Sequence, residues 1–329
     1  MTDKKRYALL DVLRTLAILL VLNSHFDPLY PIPALATGGA VGNGLFFILS
    51  GYCLTLRPTF LRHMGIRTLR LYPGVLISVF VQLLIGMKEI TNVTSAFSQL
   101  IWPTAFWFVG AIILFDALLY WLNKLNFTDH FGLFSLAMAA LYTAAYLLFV
   151  DKTVWSVEDP GLRTPQQCFK LIYCFYIYAL GYTLKIRGIP AWTQRHTPLL
   201  ISLTTGLFLF SFGFKLILNR FPSTMPLQFL TQISIIGFTS YAVCSALILE
   251  EWWMRVTTPR LRRGIAMFSS ISLEMYLVQF PFISICSSLP FPMNVAVIIP
   301  LVVICAFVLH TADTYISRRI MALIPQKKG

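Results

Sequence analysis

Hydrophobic positions along this chain are grouped into ten runs of about 16 to 23 residues, which short polar segments separate. A helix that crosses a membrane needs about 20 mostly apolar residues. The pattern therefore predicts an all-α, polytopic integral membrane protein with about ten transmembrane helices, at 8–26, 40–56, 72–87, 105–122, 131–150, 168–185, 198–217, 229–249, 267–286 and 294–316. Arg14 interrupts the first run and no small-residue cleavage site follows, so we expect a helix there rather than a signal peptide.

Composition agrees with this interpretation. Of the 329 residues, 57% are hydrophobic and only 12% are charged, against roughly 25% charged residues in an ordinary soluble domain. A soluble fold of this length has too little interior to bury so much apolar surface. A disordered chain, a collagen-like fibre and a disulfide-rich secreted scaffold are excluded as well. The six cysteines form no C-x-x-C pair and the five histidines no H-E-x-x-H motif, so we expect neither disulfides nor a metal.

Basic residues are distributed unequally between the two ends of the predicted helices. With the N-terminus in the cytoplasm, 19 lysines and arginines fall in cytoplasmic segments, whereas the opposite side holds six, namely Lys88, Lys152, Arg163, Lys170, Lys215 and Arg220. This asymmetry follows the positive-inside rule and places both termini in the cytoplasm. It also explains the net charge of +13 without nucleic-acid binding. The longest segment between predicted helices, near 151–167, is a loop, so we expect one transmembrane domain over 1–329 with no appended soluble domain.

The first predicted helix carries polar residues inside an apolar sequence. Arg14 and His25 are eleven residues apart, so they return to one helix face, about 16 Å apart along the axis. Asp11 precedes Arg14 by three residues, which is close enough for an ion pair. Ionisable groups inside a span cost roughly 2.5–3.5 kcal/mol on insertion scales, and so they mark candidate functional residues. The functional hypothesis makes His25 a general base; a snorkelling arginine and an interfacial histidine are the structural alternatives.

A glycine-rich segment follows, with the sequence GGAVGNGLFFILSGY at 38–52. No strand precedes it, so the glycines do not form a dinucleotide-binding turn. We expect Gly44 and Gly51 to permit the close approach of another helix. Ser50 and Tyr52 add hydroxyl groups near the predicted cytoplasmic end.

Arginines are concentrated in the next polar segment, at 57–70. Arg67 and Arg70 share one face if this stretch is helical. A guanidinium group binds phosphate through two parallel hydrogen bonds, so this pair is a candidate clamp for a polyphosphorylated ligand at the inner surface. Anchoring to lipid headgroups is the alternative.

Three more ionisable residues, Asp116, Lys215 and Glu274, lie inside predicted spans. Each belongs either to a structural ion pair or to a pathway for protons or solutes. They keep a transporter in consideration, although the sequence has no internal repeat of the kind found in many transporters.

The order and spacing of these motifs resemble the membrane-bound acyltransferase-3 family, which contains O-acetyltransferases of bacterial surface glycans. The resemblance covers nearly the whole chain. It rests on the helix with Arg14 and His25, on the segment at 38–52, and on Arg67-x-x-Arg70 followed by LYP. FWFVG at 106–110, FYIYALG at 175–181 and ISLEMYLVQ at 271–279 are further similar stretches.

The resemblance implies transfer of an acetyl group from cytoplasmic acetyl-CoA to a sugar hydroxyl handled at the outer side of a bacterial inner membrane. It implies that His25 is the catalytic histidine and that Arg14, Arg67 and Arg70 bind or position the donor. We place Ser50 and Tyr52 in the donor site as well, and the supporting candidates are Asp11, Trp107, Glu274 and Tyr276. The expected partners are acetyl-CoA as co-substrate, a lipid-linked or polymeric glycan acceptor and membrane lipids, with no metal and no nucleic acid.

Two positions depart from the pattern of the family. Many members have an aspartate at the position of Gly44 and a histidine at that of Gln279, so neither residue receives a catalytic role here. Asp27 is either a residue that orients His25 or an acid of the following loop. A transporter or flippase for a glycan or small metabolite stays open as the main alternative. Within the enzyme class, a succinyl or longer acyl donor and an amine acceptor stay open too.

Overall fold

The computed structural model describes residues 6–101, 106–157 and 164–323. Lys4, Lys5, Arg163, Lys327 and Lys328, which the positive-inside count includes, lie outside these ranges. Inside them there is no β-strand, and thirteen α-helices follow one another: α1 (Ala8–His25), α2 (Gly39–Cys53), α3 (Phe60–Leu84), α4 (Val93–Ala96), α5 (Trp107–Lys124), α6 (Phe131–Phe149), α7 (Pro165–Arg187), α8 (Ala191–Arg195), α9 (Thr197–Arg220), α10 (Phe229–Val256), α11 (Pro259–Ser270), α12 (Ser272–Cys286) and α13 (Met293–Leu323).

Within the described ranges, seven helices are long and apolar enough to cross a membrane, or eight if α11 and α12 together count as one span. Each of the ten predicted segments does contain a helix, but α2 and α7 are not among the seven. α2 has only 15 residues, and α7 carries two glutamines and Lys170, Lys185 and Arg187. The all-helical, multi-pass architecture is thus confirmed, whereas the number of ten spans is not.

Two boundaries differ from the predicted ones. α3 begins at Phe60 instead of near residue 72, so Arg67 and Arg70 lie within a helix rather than in a loop. The ninth predicted span, 267–286, is interrupted at Ile271, where α11 has ended and α12 has not begun. Apolar runs alone do not locate these points because polar residues continue a helix as readily as apolar ones.

The chain divides into two compact units. Unit 1 comprises residues 1–21, 37–54 and 121–270. At its centre α2 packs against α7, where Gly51 and Gly181 face the partner backbone: a Cβ atom on Gly51 would lie 2.0 Å from the carbonyl oxygen of Tyr178. Gly44 faces α10, where a Cβ atom would lie 2.8 Å from Ile235. The predicted close approach at Gly44 and Gly51 is confirmed, and it explains why the short α2 is mostly buried.

The other helices of unit 1 expose apolar side chains. On α6 and α9 the leucines at 133, 136, 147, 148 and 209 are all exposed. A continuous surface of this kind is unfavourable in water and matches the hydrocarbon interior of a bilayer. These helices are therefore the lipid-facing ones of unit 1.

Unit 2 comprises residues 22–36, 55–120 and 271–329. Its described helices α3, α12 and α13 pack together around buried polar groups. Ser78 on α3 donates a hydrogen bond to the carbonyl oxygen of Leu277 (2.9 Å), and Gln82 donates to Ser78 (3.0 Å). Phe106 and Phe115 are fully buried in the same unit.

Candidate active site

A basic cavity of about 340 Å³ lies in unit 1 between the beginning of α1 and the ends of α2 and α7. We call it the basic cavity, and it is lined by Arg6, Tyr7, Leu10, Asp11, Arg14, Tyr52, Cys53 and Lys185. Among the described residues, three cations and one carboxylate therefore face one space. Such an excess of positive charge in a recess favours an anionic ligand.

Arg14 has no carboxylate within ion-pair distance among the described residues. Its Nη2 atom lies 3.8 Å from the Sγ atom of Cys53. Lys185, which also lines the cavity, donates to the carbonyl oxygen of Leu54. The thiol beside Arg14 is a neutral group, so it does not neutralise the guanidinium group.

Asp11 is engaged elsewhere. Its Oδ2 atom accepts a hydrogen bond from Nε of Arg6 (2.7 Å), and its Oδ1 atom accepts from the hydroxyl of Ser269 (2.7 Å). The hydrogen bond to Asp11 raises the pKa of Arg6. The predicted pair of Asp11 with Arg14 is wrong, because Asp11 points to the residue five positions before it and not to the one three positions after it.

The beginning of α1 is fixed by a buried acid of α10. Both carboxylate oxygens of Glu250 accept backbone hydrogen bonds, one from the N–H of Ala8 (2.7 Å) and one from that of Leu9 (2.9 Å). The first N–H groups of a helix have no partner within the helix, and they carry its partial positive charge. A carboxylate at this end therefore supplies the missing hydrogen-bond acceptors and a compensating negative charge. Glu250 thus positions the part of α1 that lines the basic cavity.

The two arginines of the predicted phosphate clamp differ in their surroundings within unit 2. Nε of Arg67 lies 2.5 Å from Oδ2 of Asp116, whose side chain is fully buried. Arg70, one turn further along α3, is exposed. The sequence left open whether Asp116 belongs to a structural ion pair, and the structure shows that it pairs with Arg67. Of the two arginines, only Arg70 is exposed.

His25 is the last residue of α1 and lies beside aromatic rings of α12 in unit 2. Its ring centroid is 5.3 Å from that of Phe280 and 6.2 Å from that of Tyr276. Phe106 contacts both rings, at 5.9 Å from Tyr276 and 6.2 Å from Phe280. The supporting candidate Tyr276 thus touches the predicted base.

Glu274, also a supporting candidate, pairs with a histidine that the sequence analysis did not single out. Its Oε1 atom lies 2.7 Å from Nδ1 of His310 on α13. The other carboxylate oxygen of Glu274 is buried and has no hydrogen-bond partner among the described residues. The pair joins α12 to α13 within unit 2. The attraction between its two members offsets part of the free-energy cost of burying a charged group in an apolar region.

The remaining candidates have individual surroundings. Ser50 is on α2 but is not one of the residues that line the basic cavity. Trp107 begins α5 and its ring contacts Phe108 (6.3 Å). Asp27 is exposed, and Lys215 lies over the ring of Trp155 at 5.1 Å from its centroid. Over the part of the chain that the structure describes, no group of three or more His, Cys, Asp or Glu residues could hold a metal ion.

Sequence reasoning missed five residues that line the basic cavity, namely Arg6, Tyr7, Leu10, Cys53 and Lys185. Arg6 and Lys185 enter the sequence analysis only as cytoplasmic positive charge. The place of Lys185 depends on the contact between α2 and α7, which brings it next to Leu54. Sequence spacing contains no signal for that neighbourhood.

Comparisons with known proteins add one finding. No match was found among curated proteins or among solved structures. The family model described as an acyltransferase domain matches residues 7–311, which include every site residue that the sequence analysis singled out. With its multi-pass helical fold, the chain therefore belongs to the acyltransferase-3 family and is an acyltransferase of the membrane type.

Proposed function

We propose that this acyltransferase moves an acetyl group from acetyl-CoA to a hydroxyl of a bacterial cell-surface glycan in the inner membrane, with His25 as the general base. The observation that carries the proposal is the basic cavity, where Arg14 faces a ligand-sized space and has no carboxylate partner among the residues that the structure describes. The helix that carries Arg14 ends at His25.

The basic cavity suits the phosphate end of the donor. CoA carries several phosphate groups, which guanidinium and ammonium groups bind through charge-assisted hydrogen bonds. Ligand pockets typically measure roughly 300–1,000 Å³, so a space of about 340 Å³ accommodates part of a CoA molecule. Tyr52 adds a hydroxyl at its wall. The role of Arg70 in donor binding is proposed from the resemblance alone, and Arg67 is assigned a positioning role through Asp116.

The proposed phosphate-binding residue Arg14 and the proposed base His25 lie at different heights along α1. Arg14 and His25 are eleven residues apart, which corresponds to about 16 Å along a helix axis. Phosphates held near Arg14 therefore require an extended arm between them and a thioester at His25. The pantetheine arm of acetyl-CoA is a linker of that kind.

The proposed reaction is a direct acyl transfer. The imidazole of His25 takes the proton of the acceptor hydroxyl as that oxygen attacks the thioester carbonyl carbon. The tetrahedral intermediate collapses with cleavage of the carbon–sulfur bond, and the imidazolium returns the proton to the departing thiolate. The products are an acetyl ester and CoA. A positioned base contributes about 10²- to 10⁴-fold to such a step.

The test uses the purified full-length chain in detergent with radiolabelled acetyl-CoA and a bacterial glycan extract. We expect base-labile label in the glycan, and a loss of about 10²- to 10⁴-fold in the rate for His25→Ala. His196→Ala is the matched control, because His196 is an exposed histidine before α9 whose side chain makes no cap hydrogen bond. Unchanged transfer in His25→Ala would refute the assigned base.

The same assay separates the neighbouring activities. Transfer of label from succinyl-CoA but not from acetyl-CoA would identify succinyl-CoA as the donor. Base-stable label would indicate an amine acceptor. A chain that binds no CoA would instead support a transporter or flippase. Against transport stand the partners of the intramembrane charges: Asp116 pairs with Arg67, Glu274 with His310, and Lys215 contacts Trp155.

A further inference from the structure

A second group of unsatisfied polar atoms lies in unit 2, in the segment that follows α3. Gly86, with a φ angle of +72°, turns the chain back at the end of that helix. The N–H groups of Met87 and Lys88 then both donate to the carbonyl oxygen of Gln82 (2.9 and 3.2 Å). Glycine adopts this left-handed conformation without steric cost. The backbone of Lys88 is therefore fixed against the end of α3.

The side chain of Lys88 ends in a buried and unpaired ammonium group. Its Nζ atom is shielded from solvent and has no hydrogen-bond partner within the described ranges. It lies 4.7 Å from the ring centroid of Phe106, which is fully buried. Burial lowers the pKa of Lys88. An ammonium group has three donors, and a single aromatic face compensates only part of what it loses by leaving water.

An unpaired acceptor belongs to the same loop. The Nε2 atom of Gln99 donates to the carbonyl oxygen of Glu89, next to Lys88 in sequence (2.8 Å), whereas its Oε1 atom is buried without a partner among the described residues. Gln99 lies in a π-helical turn (Phe97–Ile101) that directly follows α4, whose start is fixed by a capping box between Asn92 and Ser95. One donor and one acceptor are thus held by rigid backbone and left without partners.

Lys152 in unit 1 provides a contrast. It also lies over an aromatic ring, 5.7 Å from the centroid of Tyr146. Its Nζ atom, however, donates to the carbonyl oxygens of Leu147 (3.1 Å) and Val150 (3.3 Å). Lying over a ring therefore does not by itself leave a lysine of this protein unpaired, and Lys88 requires a separate explanation. Ordinary snorkelling to lipid headgroups does not provide one, because it keeps the ammonium group in contact with solvent.

Lys88 is connected to His25 through aromatic rings of unit 2. Phe106, beneath the ammonium group, contacts Phe280 and Tyr276, and both of these contact His25. A ligand bound at Lys88 is therefore connected to the predicted base through two successive ring contacts, first Phe106 and then Phe280 or Tyr276. That is the neighbourhood in which an acceptor glycan would have to bind.

We propose that Lys88 and Gln99 form an acceptor-binding subsite for an acidic sugar, whose carboxylate binds Lys88 and whose neighbouring hydroxyl donates to Gln99. The proposal rests on the proposed function, because it assigns the subsite to the acceptor of that reaction. It narrows the acceptor to glycans that contain uronic or similar sugar acids. Lys88 is a specificity-determining residue in this scheme and takes no part in proton transfer.

The test measures binding without acyl transfer. The midpoint of thermal unfolding of the detergent-purified full-length chain is recorded against increasing trigalacturonate, and against neutral maltotriose of equal length. Phosphatidylglycerol forms a third arm, because it also presents an anionic group beside hydroxyls. We expect a saturable rise in the midpoint with trigalacturonate alone, with apparent affinity at least about tenfold lower in Lys88→Met and in Gln99→Leu.

Two variants control for folding and for charge. Lys88→Arg retains the positive charge and should retain the response to trigalacturonate. Lys152→Met removes a ring-stacked lysine whose hydrogen bonds are satisfied, and it should not change that response. Each variant is compared with its own unfolding midpoint without ligand, so a generally less stable protein is recognised as such.

Four results would overturn the proposal. The first two are an equal response to maltotriose and a response to phosphatidylglycerol alone, which would assign Lys88 to lipid. The other two are a response that Lys88→Met leaves unchanged and no response to any of the three ligands. Because the binding measurement contains no acetyl-CoA, it is independent of the proposed function: binding of trigalacturonate, together with no transfer of label in the separate acetyl-CoA assay, would refute the proposed function and leave the subsite intact.

Discussion

Arg67 and Asp116 illustrate how a single contact changes the meaning of a residue. Arg67 and Arg70 have the same spacing and chemistry in the sequence, yet Arg67 is bound to a fully buried carboxylate and Arg70 is exposed. Removing one member of a buried ion pair leaves the other charged and unsolvated. Arg67 therefore contributes to the stability of the fold, in addition to any part it has in ligand binding.

We expect Arg67→Ala to lower the free energy of unfolding by about 3 kcal/mol, near the lower limit for breaking a buried pair because Arg67 is itself partly exposed. Arg70→Ala should change stability by less than about 0.5 kcal/mol, as exposed substitutions usually do. The thermal unfolding of both variants in detergent checks this. If Arg70→Ala lost as much stability as Arg67→Ala, the ion pair would not be the cause.

CoA binding by the Arg70→Ala variant then gives an interpretable test of the donor site. A well-folded Arg70→Ala variant should bind acetyl-CoA more weakly than wild type, whereas Arg318→Ala and Arg319→Ala, on the C-terminal part of α13, should not. Equal losses in all three would attribute the effect to general surface charge. Isothermal titration in the same detergent supplies the affinities.

At the scale of helices, the contact between α2 and α7 depends on glycine. A Cβ atom at Gly51 would overlap the carbonyl oxygen of Tyr178, and one at Gly181 would lie 2.1 Å from that of Ile48. Backbone atoms in packed helices do not move aside without shifting the helices themselves. The same contact brings Lys185 to the basic cavity, so its loss would also disturb the proposed donor site.

We therefore expect Gly51→Ala to destabilise the protein by about 1–3 kcal/mol or more, the range for overpacking. Gly65→Ala is the matched control, because Gly65 is an exposed position of α3 where a Cβ atom meets nothing within 4 Å. That variant should be neutral, or more stable by up to about 1 kcal/mol, since alanine favours a helix over glycine. The thermal unfolding midpoints of the two variants test this expectation. Similar midpoints for Gly51→Ala and Gly65→Ala would contradict close backbone packing at Gly51.

The first turn of α1 depends on Glu250 in a comparable way. Glu250→Ala leaves the N–H groups of Ala8 and Leu9 without their carboxylate, which should cost about 1–3 kcal/mol. Because Arg6 and Arg14 lie on either side of this turn, acetyl-CoA binding should weaken as well. Glu251→Ala, which removes the exposed neighbouring acid, should change neither quantity. A loss of affinity in both variants would point to net charge instead.

For the whole molecule, apolar runs predict the class of fold and the existence of the helices, because the membrane imposes one length and one polarity on everything that faces lipid. They also predict the helices α2 and α7, but neither is confirmed as a span, since α2 is short and α7 carries several polar residues. The site divides in the same manner. Arg14 and Tyr52 are recognisable from motifs, whereas Lys185 and His310 acquire their partners from contacts between distant segments.

The orientation of the molecule is the largest-scale expectation, and Cys53 gives direct access to it. The thiol of Cys53 is exposed and lies in the basic cavity, 3.8 Å from Arg14. If the distribution of basic residues places this cavity at the cytoplasmic side, a membrane-impermeant maleimide should label Cys53 in inverted membrane vesicles and not in intact cells. Bound CoA should slow that labelling, because it occupies the same space.

The Cys53→Ser variant identifies the labelled position, since Cys168 and Cys305 are also partly accessible. Labelling of Cys53 in intact cells would place the basic cavity on the outer surface, where cytoplasmic acetyl-CoA has no access, and would remove the basis of the donor assignment. Labelling from the inside without protection by CoA would keep the orientation and reject the ligand. The two parts of the proposal, which side the cavity faces and what it binds, are thus tested separately by one thiol.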